Sequence, residues 1–263
     1  MDYKHILFQL EENIATITFN RPQVLNALNS ELLQEFSDVL DEIEENEEIR
    51  VLLLTGAGEK SFVAGADIKE LATYTPLVAK IKTKKGQTVI GRLQQLPIPV
   101  IGAINGFALG GGCEIALACD FVYASENAMF GLPEISLGLI PGFGGTQRLP
   151  RLIGKNFAKE MIFTGKMITA AEAKAIGIVN QVFTPGNLLG EVMKTAKAIR
   201  AKGKVSLRAA KQAVNEGLNT DLETGCCIEN NAFALCMASP DAGEGMTAFI
   251  EKRKATFKGG FRD

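Results

Sequence analysis

Histidine is nearly absent from this chain of 263 residues, and His5 is its only copy. A serine or cysteine nucleophile of the triad type needs a histidine as its general base. Catalysis by a Ser-His-Asp or Cys-His group is therefore improbable. A metal site built mainly from histidines is excluded for the same reason.

Two nucleotide-binding signatures are also missing. The segment 56–61 (GAGEKS) resembles a phosphate-binding loop, but that pattern requires glycines where the chain has Glu59 and Leu54. The glycine clusters at 110–112 and 142–145 do not fit the G-x-G-x-x-G pattern of dinucleotide-binding folds. The sequence therefore lacks the usual motifs for nucleotide hydrolysis and for hydride transfer.

The chain has little excess charge, no long apolar run and no paired cysteine motif. Its net charge of −2 argues against nucleic-acid binding as the main activity. No run approaches the roughly 18 apolar residues of a membrane span. Residues 1–12 mix charged and apolar side chains, so we expect neither a signal nor a transit peptide. The five cysteines lack C-x-x-C spacing, which predicts reduced, buried cysteines in a cytoplasmic protein.

Two glutamates in glycine-bearing segments are the most informative residues present. Glu114 follows three glycines and begins an apolar run, 114–119 (EIALAC), which predicts a buried helix. A carboxylate there must be paired, neutralised or in use, because burying a bare charge is costly. Glu134 follows Pro133 at a predicted helix start. Free amides at a helix start favour negative charge, so the pattern suggests proton transfer to a substrate whose carbonyl becomes an enolate.

Short strands alternate with turns and helices along most of the chain, which predicts an α/β fold. The predicted elements are an amphipathic helix at 29–45, a helical pair or mobile segment at 70–96, and strands at 13–19, 51–55, 100–104 and 120–124. From about residue 198 the pattern becomes helical and strongly charged. We therefore predict an α/β core over 1–197 and a small helical appendage over 198–263.

Six motifs occur in order along nearly the whole chain. They are 21–28 (RPQVLNAL), 62–69 (FVAGADIK), 105–114 (NGFALGGGCE), 130–134 (FGLPE), 141–149 (PGFGGTQRL) and 249–254 (FIEKRK). Each motif is weak alone, but together at this spacing they resemble the enoyl-CoA hydratase/isomerase (crotonase) family. The resemblance implies a crotonase-like spiral of repeated ββα units followed by a C-terminal helical trimerisation region.

The same resemblance implies a function and a set of partners. The implied reaction is hydration of a trans-2-enoyl-CoA, of the short-chain crotonyl-CoA type, to a 3-hydroxyacyl-CoA in fatty-acid metabolism. Coenzyme A would enter as part of the substrate, and no separate cofactor or metal is implied. The implied assembly is a homo-oligomer, usually a hexamer made of two trimers, with no nucleic-acid or membrane partner.

The resemblance also assigns roles to particular residues. Glu114 and Glu134 would hold the reacting water, and the backbone N–H groups of Ala66 and Gly111 would form an oxyanion hole. Two carboxyls that share one water repel as anions, so one should hold a proton near neutral pH, and the sequence does not say which. The substrate- or CoA-binding residues implied are Ala64, Asp67, Ile68, Gly142, Phe249 and Lys252, the last two reaching a neighbouring subunit's CoA.

The sequence leaves several alternatives open. Asp67 could instead be a helix N-cap, and Lys252 a solvated charge. A Δ3-Δ2-enoyl-CoA isomerase shares the implied fold, but such enzymes typically keep an acid only at the position of Glu134. Another thioester reaction would generally need further polar catalysts. A noncatalytic acyl-CoA-binding or RNA-binding relative should lack one acid or carry a basic surface, and neither is evident.

Overall fold

The computed structural model describes residues 3–260. Its strands are β1 (Ile6–Glu11), β2 (Ile14–Phe19), β3 (Val51–Gly56), β4 (Ser61–Ala64), β5 (Val100–Ile104), β6 (Phe107–Leu109), β7 (Phe121–Ser125), β8 (Met129–Gly131), β9 (Met167–Thr169) and β10 (Gln181–Phe183). Its α-helices are α1 (Ser30–Glu45), α2 (Ile68–Leu71), α3 (Pro76–Gln95), α4 (Gly111–Ala116), α5 (Gly145–Ile153), α6 (Lys155–Thr164), α7 (Ala170–Ala175), α8 (Leu188–Arg200), α9 (Lys204–Gly217), α10 (Leu222–Met237) and α11 (Pro240–Ile250).

The strands form two sheets that alternate along the chain. The larger sheet has the order β1-β2-β3-β5-β7-β10, and the smaller has the order β4-β6-β8-β9. Each of the pairs β3–β4, β5–β6 and β7–β8 places its first strand in the larger sheet and its second in the smaller, before the chain turns into a helix. Within each sheet the strands from successive pairs run parallel. The predicted spiral of ββα units is confirmed.

Helix α1 shows why the local sequence patterns were informative. The side chain of Asn29 accepts a hydrogen bond from the amide of Leu32 at 2.9 Å, which caps the first turn. The apolar stripe predicted from helical spacing is buried. The rings of Phe36 and Phe19 pack edge to face with their centroids 5.3 Å apart. The predicted helix at 29–45 is confirmed, with Asn29 as its N-cap.

The segment 70–96, predicted as a helical pair or a mobile segment, is helical. The one-turn helix α2 is followed by α3, which begins after Thr75 and carries Pro76 at its first position. The buried side of α3 packs on the core through Val89, Ile90 and Leu93. The middle of α3 lies beside the glycine-rich segment 142–145, where the side chain of Gln87 donates to the carbonyl of Gly142.

The C-terminal helices differ in how they meet the core. Helix α8 buries Leu188, Val192 and Ala196 against the larger sheet. The predicted boundary between 197 and 198 falls inside α8, and the division into two domains stays a prediction. Helix α9 is fixed to the core by Lys211, whose Nζ lies 2.9 Å from the carboxylate of Asp120.

Helix α10 has no buried residue. Most of its apolar side chains are exposed within one chain, and Phe233 and Leu235 are each more than two-thirds exposed. Cys226 and Cys227 are exposed on this helix, so the expectation that every cysteine is buried is wrong for them within one chain. Among residues 3–260, no helix is long and apolar enough to cross a membrane.

Candidate active site

Glu114 lies in the short helix α4, and the glycines before it shape the backbone there. Gly110, the N-cap, has φ 50° and ψ −121°, a conformation essentially restricted to glycine. Its carbonyl accepts the amide of Glu114 at 3.0 Å. The carboxyl of Glu114 is thereby directed into the protein, and the residue is 1% exposed.

The buried carboxyl of Glu114 is held by two backbone amides from the segment 141–149. Its Oε1 accepts hydrogen bonds from the amides of Phe143 and Gly145, both at 2.7 Å. Burial, with a smaller contribution from the charge of Glu134, raises the pKa of Glu114 to about 7 against the lowering effect of these two amides. At neutral pH this group can therefore both give and take a proton.

Glu134 lies in a 3-10 helix, Pro133–Leu137, and is half-buried. A side chain at Gly110 would come within 3.0 Å of its Oε1, so this carboxyl borders the start of the helix that carries Glu114. Its Oε2 is buried and has no hydrogen-bond partner among the residues that the structure describes. Burial also raises the pKa of Glu134. The two carboxyls therefore share one poorly hydrated region.

Two backbone N–H groups near these acids, within the described residues, donate no hydrogen bond. Leu28 donates to the carbonyl of Gly65 and accepts the amide of Asp67, which forms a parallel bridge to Ala66. In such a bridge the amide of Ala66 itself points away from Leu28. The amides of Ala66 and Gly111 donate to no acceptor within residues 3–260, and both residues line the same cavity.

A cavity of about 510 Å³ brings most of the predicted site residues together. It is lined by Ala64, Ala66, Asp67, Ile68, Gly111, Glu114, Glu134 and Gly142. Asp67 also accepts from the amide of Lys69 and pairs with Arg21 at 3.2 Å, so its role as a helix N-cap is confirmed. Phe249 and Lys252 do not line this cavity, and the side chain of Phe249 is 84% exposed.

A polar cluster in the cavity wall was missed from the sequence. The carboxylate of Glu70 accepts hydrogen bonds from the hydroxyls of Ser30 and Tyr74, and Lys82 donates to the Ser30 hydroxyl at 2.8 Å. Burial acts to raise the pKa of Glu70, but the hydrogen bonds outweigh it and lower the pKa overall. These residues come from α1, α2, the loop after α2 and α3, so no local motif connects them.

Phe143 and Gly145 were also missed as contacts of Glu114, although they stand inside one of the six motifs. The motif pointed to this contact only through the family resemblance, because a backbone amide is not visible in the type of residue that carries it.

In the described part of the chain, no three His, Cys, Asp or Glu side chains are grouped so as to hold a metal ion.

Comparison with known proteins identifies the family. The model of the enoyl-CoA hydratase/isomerase family matches residues 9–260. The crotonyl-CoA hydratase of Syntrophomonas wolfei is 48% identical over 98% of this chain and 99% of that protein. The short-chain-enoyl-CoA hydratase of Clostridium acetobutylicum is 48% identical over 97% of each chain. An enoyl-CoA hydratase structure from Bacillus anthracis is 43% identical, covers 97% of this chain and 99% of that one, and has a TM-score of 0.94. The chain therefore belongs to the enoyl-CoA hydratase/isomerase family.

Proposed function

We propose that this chain hydrates short-chain trans-2-enoyl-CoA thioesters, of the crotonyl-CoA type, to 3-hydroxyacyl-CoA. The observation that carries the proposal is one cavity lined by Glu114, Glu134, Ala66 and Gly111, in which the amides of Ala66 and Gly111 have no acceptor within residues 3–260. Family membership and the names of relatives that are 48% identical support it independently.

The two amides suit the charge that develops during hydration. When water adds to the β-carbon, electrons move through the α-carbon onto the thioester oxygen, which becomes an enolate. Donors from Ala66 and Gly111 would stabilise that oxygen, and one such donor is typically worth about 3–4 kcal/mol in the transition state. Because these donors are fixed backbone groups, they need no reorganisation as the charge appears.

The two carboxyls suit the proton transfers. A water held between Glu114 and Glu134 gives one proton to a carboxylate as its oxygen bonds to the β-carbon. The other carboxyl, protonated at the start, gives its proton to the α-carbon, so that hydroxyl and hydrogen add to the same face. The raised pKa of both groups supports a resting state in which the pair keeps one proton near neutral pH.

The presence of Glu114 favours hydration over isomerisation. An isomerase moves a proton between two carbons and needs one acid, whereas Glu114 is a second buried acid held by two amides in the same cavity. A noncatalytic binding protein would have no use for two carboxyls with raised pKa. The proposed reaction needs no cofactor, because CoA arrives with the substrate.

We also propose the CoA-binding residues and the assembly. Ala64, Asp67, Ile68 and Gly142 line the cavity and would border the CoA moiety. Phe249 does not line this cavity in its own chain and its side chain is exposed, which supports a contact between subunits. The exposed apolar side chains of α9 and α10 support burial in a trimer, two of which would form a hexamer. The cytoplasmic location and the role in fatty-acid metabolism stay predictions.

The test is to follow the absorbance of crotonyl-CoA as its conjugated double bond is lost, and to identify the product by mass. Hydration predicts a gain of one water and the 3-hydroxy product. A product of unchanged mass with a shifted double bond would instead identify an isomerase. No turnover of enoyl-CoA thioesters from four to twelve carbons would contradict the proposed function.

A further inference from the structure

A buried glycine lies in the middle of the longest helix that borders the cavity. Gly86 stands inside α3, far from both of its ends. Glycine is less favourable than alanine within a helix, so an interior glycine in such a position calls for a packing reason. Gly91 of the same helix has no such tight contact, and only the end of Arg148 comes near it.

The reason at Gly86 is the ring of Phe143. A methyl group at Gly86 would lie 2.5 Å from Cδ1 and 2.8 Å from Cζ of that ring, closer than real carbon contacts allow. The opposite edge of the ring faces α4, where a methyl group on Gly111 would lie 3.2 Å from Cδ2. The ring of Phe143 therefore fills the space between α3 and the start of the helix that carries Glu114.

Hydrogen bonds hold the backbone of Phe143 on both sides. The amide of Phe143 donates to Oε1 of Glu114 at 2.7 Å, and its carbonyl accepts from Arg148 at 2.9 Å. The neighbouring carbonyl of Gly142 accepts from the side chain of Gln87 in α3 at 2.9 Å. Because Phe143 is half-buried and lines the cavity, its ring forms part of the cavity wall.

We propose that Phe143, seated in the gap left by Gly86, limits the length of the acyl chain that the cavity accepts. The inference rests on the proposed function, which puts the thioester oxygen at the amides of Ala66 and Gly111 and the β-carbon at Glu114. The amide of Phe143 donates to Glu114, so carbons beyond the β-carbon would pass Glu114 and meet the ring of Phe143. A four-carbon chain ends near the ring, whereas a longer chain has to displace it.

Gly86 sets the position of the Phe143 ring. Any side chain at position 86 would push the ring towards the cavity and shorten the space for the acyl chain. The absence of a side chain lets the ring withdraw against α3 while its backbone stays bonded to Glu114. Each methylene that a hydrophobic pocket accepts or rejects changes kcat/KM by about 10- to 200-fold, so a shift of one ring is measurable.

The first experiment measures kcat/KM for crotonyl-CoA and trans-2-octenoyl-CoA in the wild type and in Phe143→Ala. The ratio of the eight-carbon to the four-carbon value should rise at least about 10-fold. Both substrates depend equally on the amide at position 143, so the ratio is insensitive to a general loss of catalysis. Phe163→Ala, which removes an exposed ring from α6, is the matched control and should leave the ratio unchanged.

The second experiment uses the contact itself. Gly86→Ala should lower kcat/KM for both substrates, more for the longer one, and the double variant with Phe143→Ala should recover at least about 10-fold of the loss. If Gly86→Ala fails to fold, the double variant should still fold, because the overlap is gone.

The outcomes separate this inference from the proposed function. A Phe143→Ala ratio within twofold of the wild type, or a double variant no better than Gly86→Ala, would overturn the inference while hydration by the wild type stands. A wild type that hydrates no enoyl-CoA would overturn both.

Discussion

The pH dependence of stability should change when Glu114 becomes glutamine. The pKa of Glu114 is 4.5 in an exposed chain and about 7 in the folded protein, where burial disfavours the charged form. Between these values the folded chain binds a proton that the unfolded chain has released, so the free energy of unfolding falls as pH rises. Below about pH 4.5 the effect is absent, and above about pH 7 it is complete.

The size of the effect follows from this shift. At about 1.4 kcal/mol per pKa unit, a rise from 4.5 to about 7 corresponds to about 3 kcal/mol. Glutamine has nearly the same volume, and its carbonyl can accept the two amides that now reach Oε1 from Phe143 and Gly145. Glu114→Gln should therefore match the wild type near pH 4.5 and exceed its stability by up to about 3 kcal/mol near pH 8.

The measurement is urea unfolding across this pH range, followed by circular dichroism because the chain has no tryptophan. Protein concentration must be fixed, since dissociation of an assembly would contribute to unfolding. Glu126→Gln, at an exposed position, is the control. Parallel curves for the wild type and Glu114→Gln would refute the reasoning. If Glu134→Gln alone removed the pH dependence, the extra proton would reside on Glu134.

Four further outcomes follow from the proposals. Glu134→Gln should lower kcat for crotonyl-CoA by roughly 10²–10⁴-fold with the fold intact, and more than about a tenth of the activity would exclude a principal role. Gly111→Pro should lower kcat by about 10²–10³-fold through loss of a donor; Gly111→Ala controls for the added carbon, and equal losses in both would implicate packing. Lys252→Ala should raise KM more than it lowers kcat, and should weaken the dependence of KM on salt. An unchanged KM would leave Lys252 without a role in CoA binding. Light scattering should find a trimer or hexamer, and a fully active monomer would contradict the proposed assembly.

Local pattern was enough to predict several parts of the fold and the candidate site. The capping residue Asn29 and the apolar stripe behind it determine where α1 begins and which side it buries. Gly110 and Gly111 open α4, and the apolar run after Glu114 predicts its burial. In each case the cause lies within a few residues of the feature, because helix caps and helical faces are set by near neighbours in sequence.

The surface of the C-terminal helices could not be interpreted in the same way. The exposure of α10 depends on what lies next to it, and its own sequence contains apolar side chains without one consistent face. Cys226 and Cys227 were expected to be buried for their residue type alone, yet within one chain they are exposed. The burial of a side chain depends on which elements pack against it, so residue type predicts burial only on average.

By itself, the sequence determined that two acids and a run of glycines occur together, that the chain folds as α/β, and which family it resembles. Only the tertiary structure decided that the Leu28 bridge turns the amide of Ala66 away from Leu28, and that Phe143 fills the gap at Gly86. These contacts join segments far apart along the chain. They are made by backbone amides and by the space that glycines leave. A local pattern of residues predicts neither the direction of an amide nor the side chain that fills such a space.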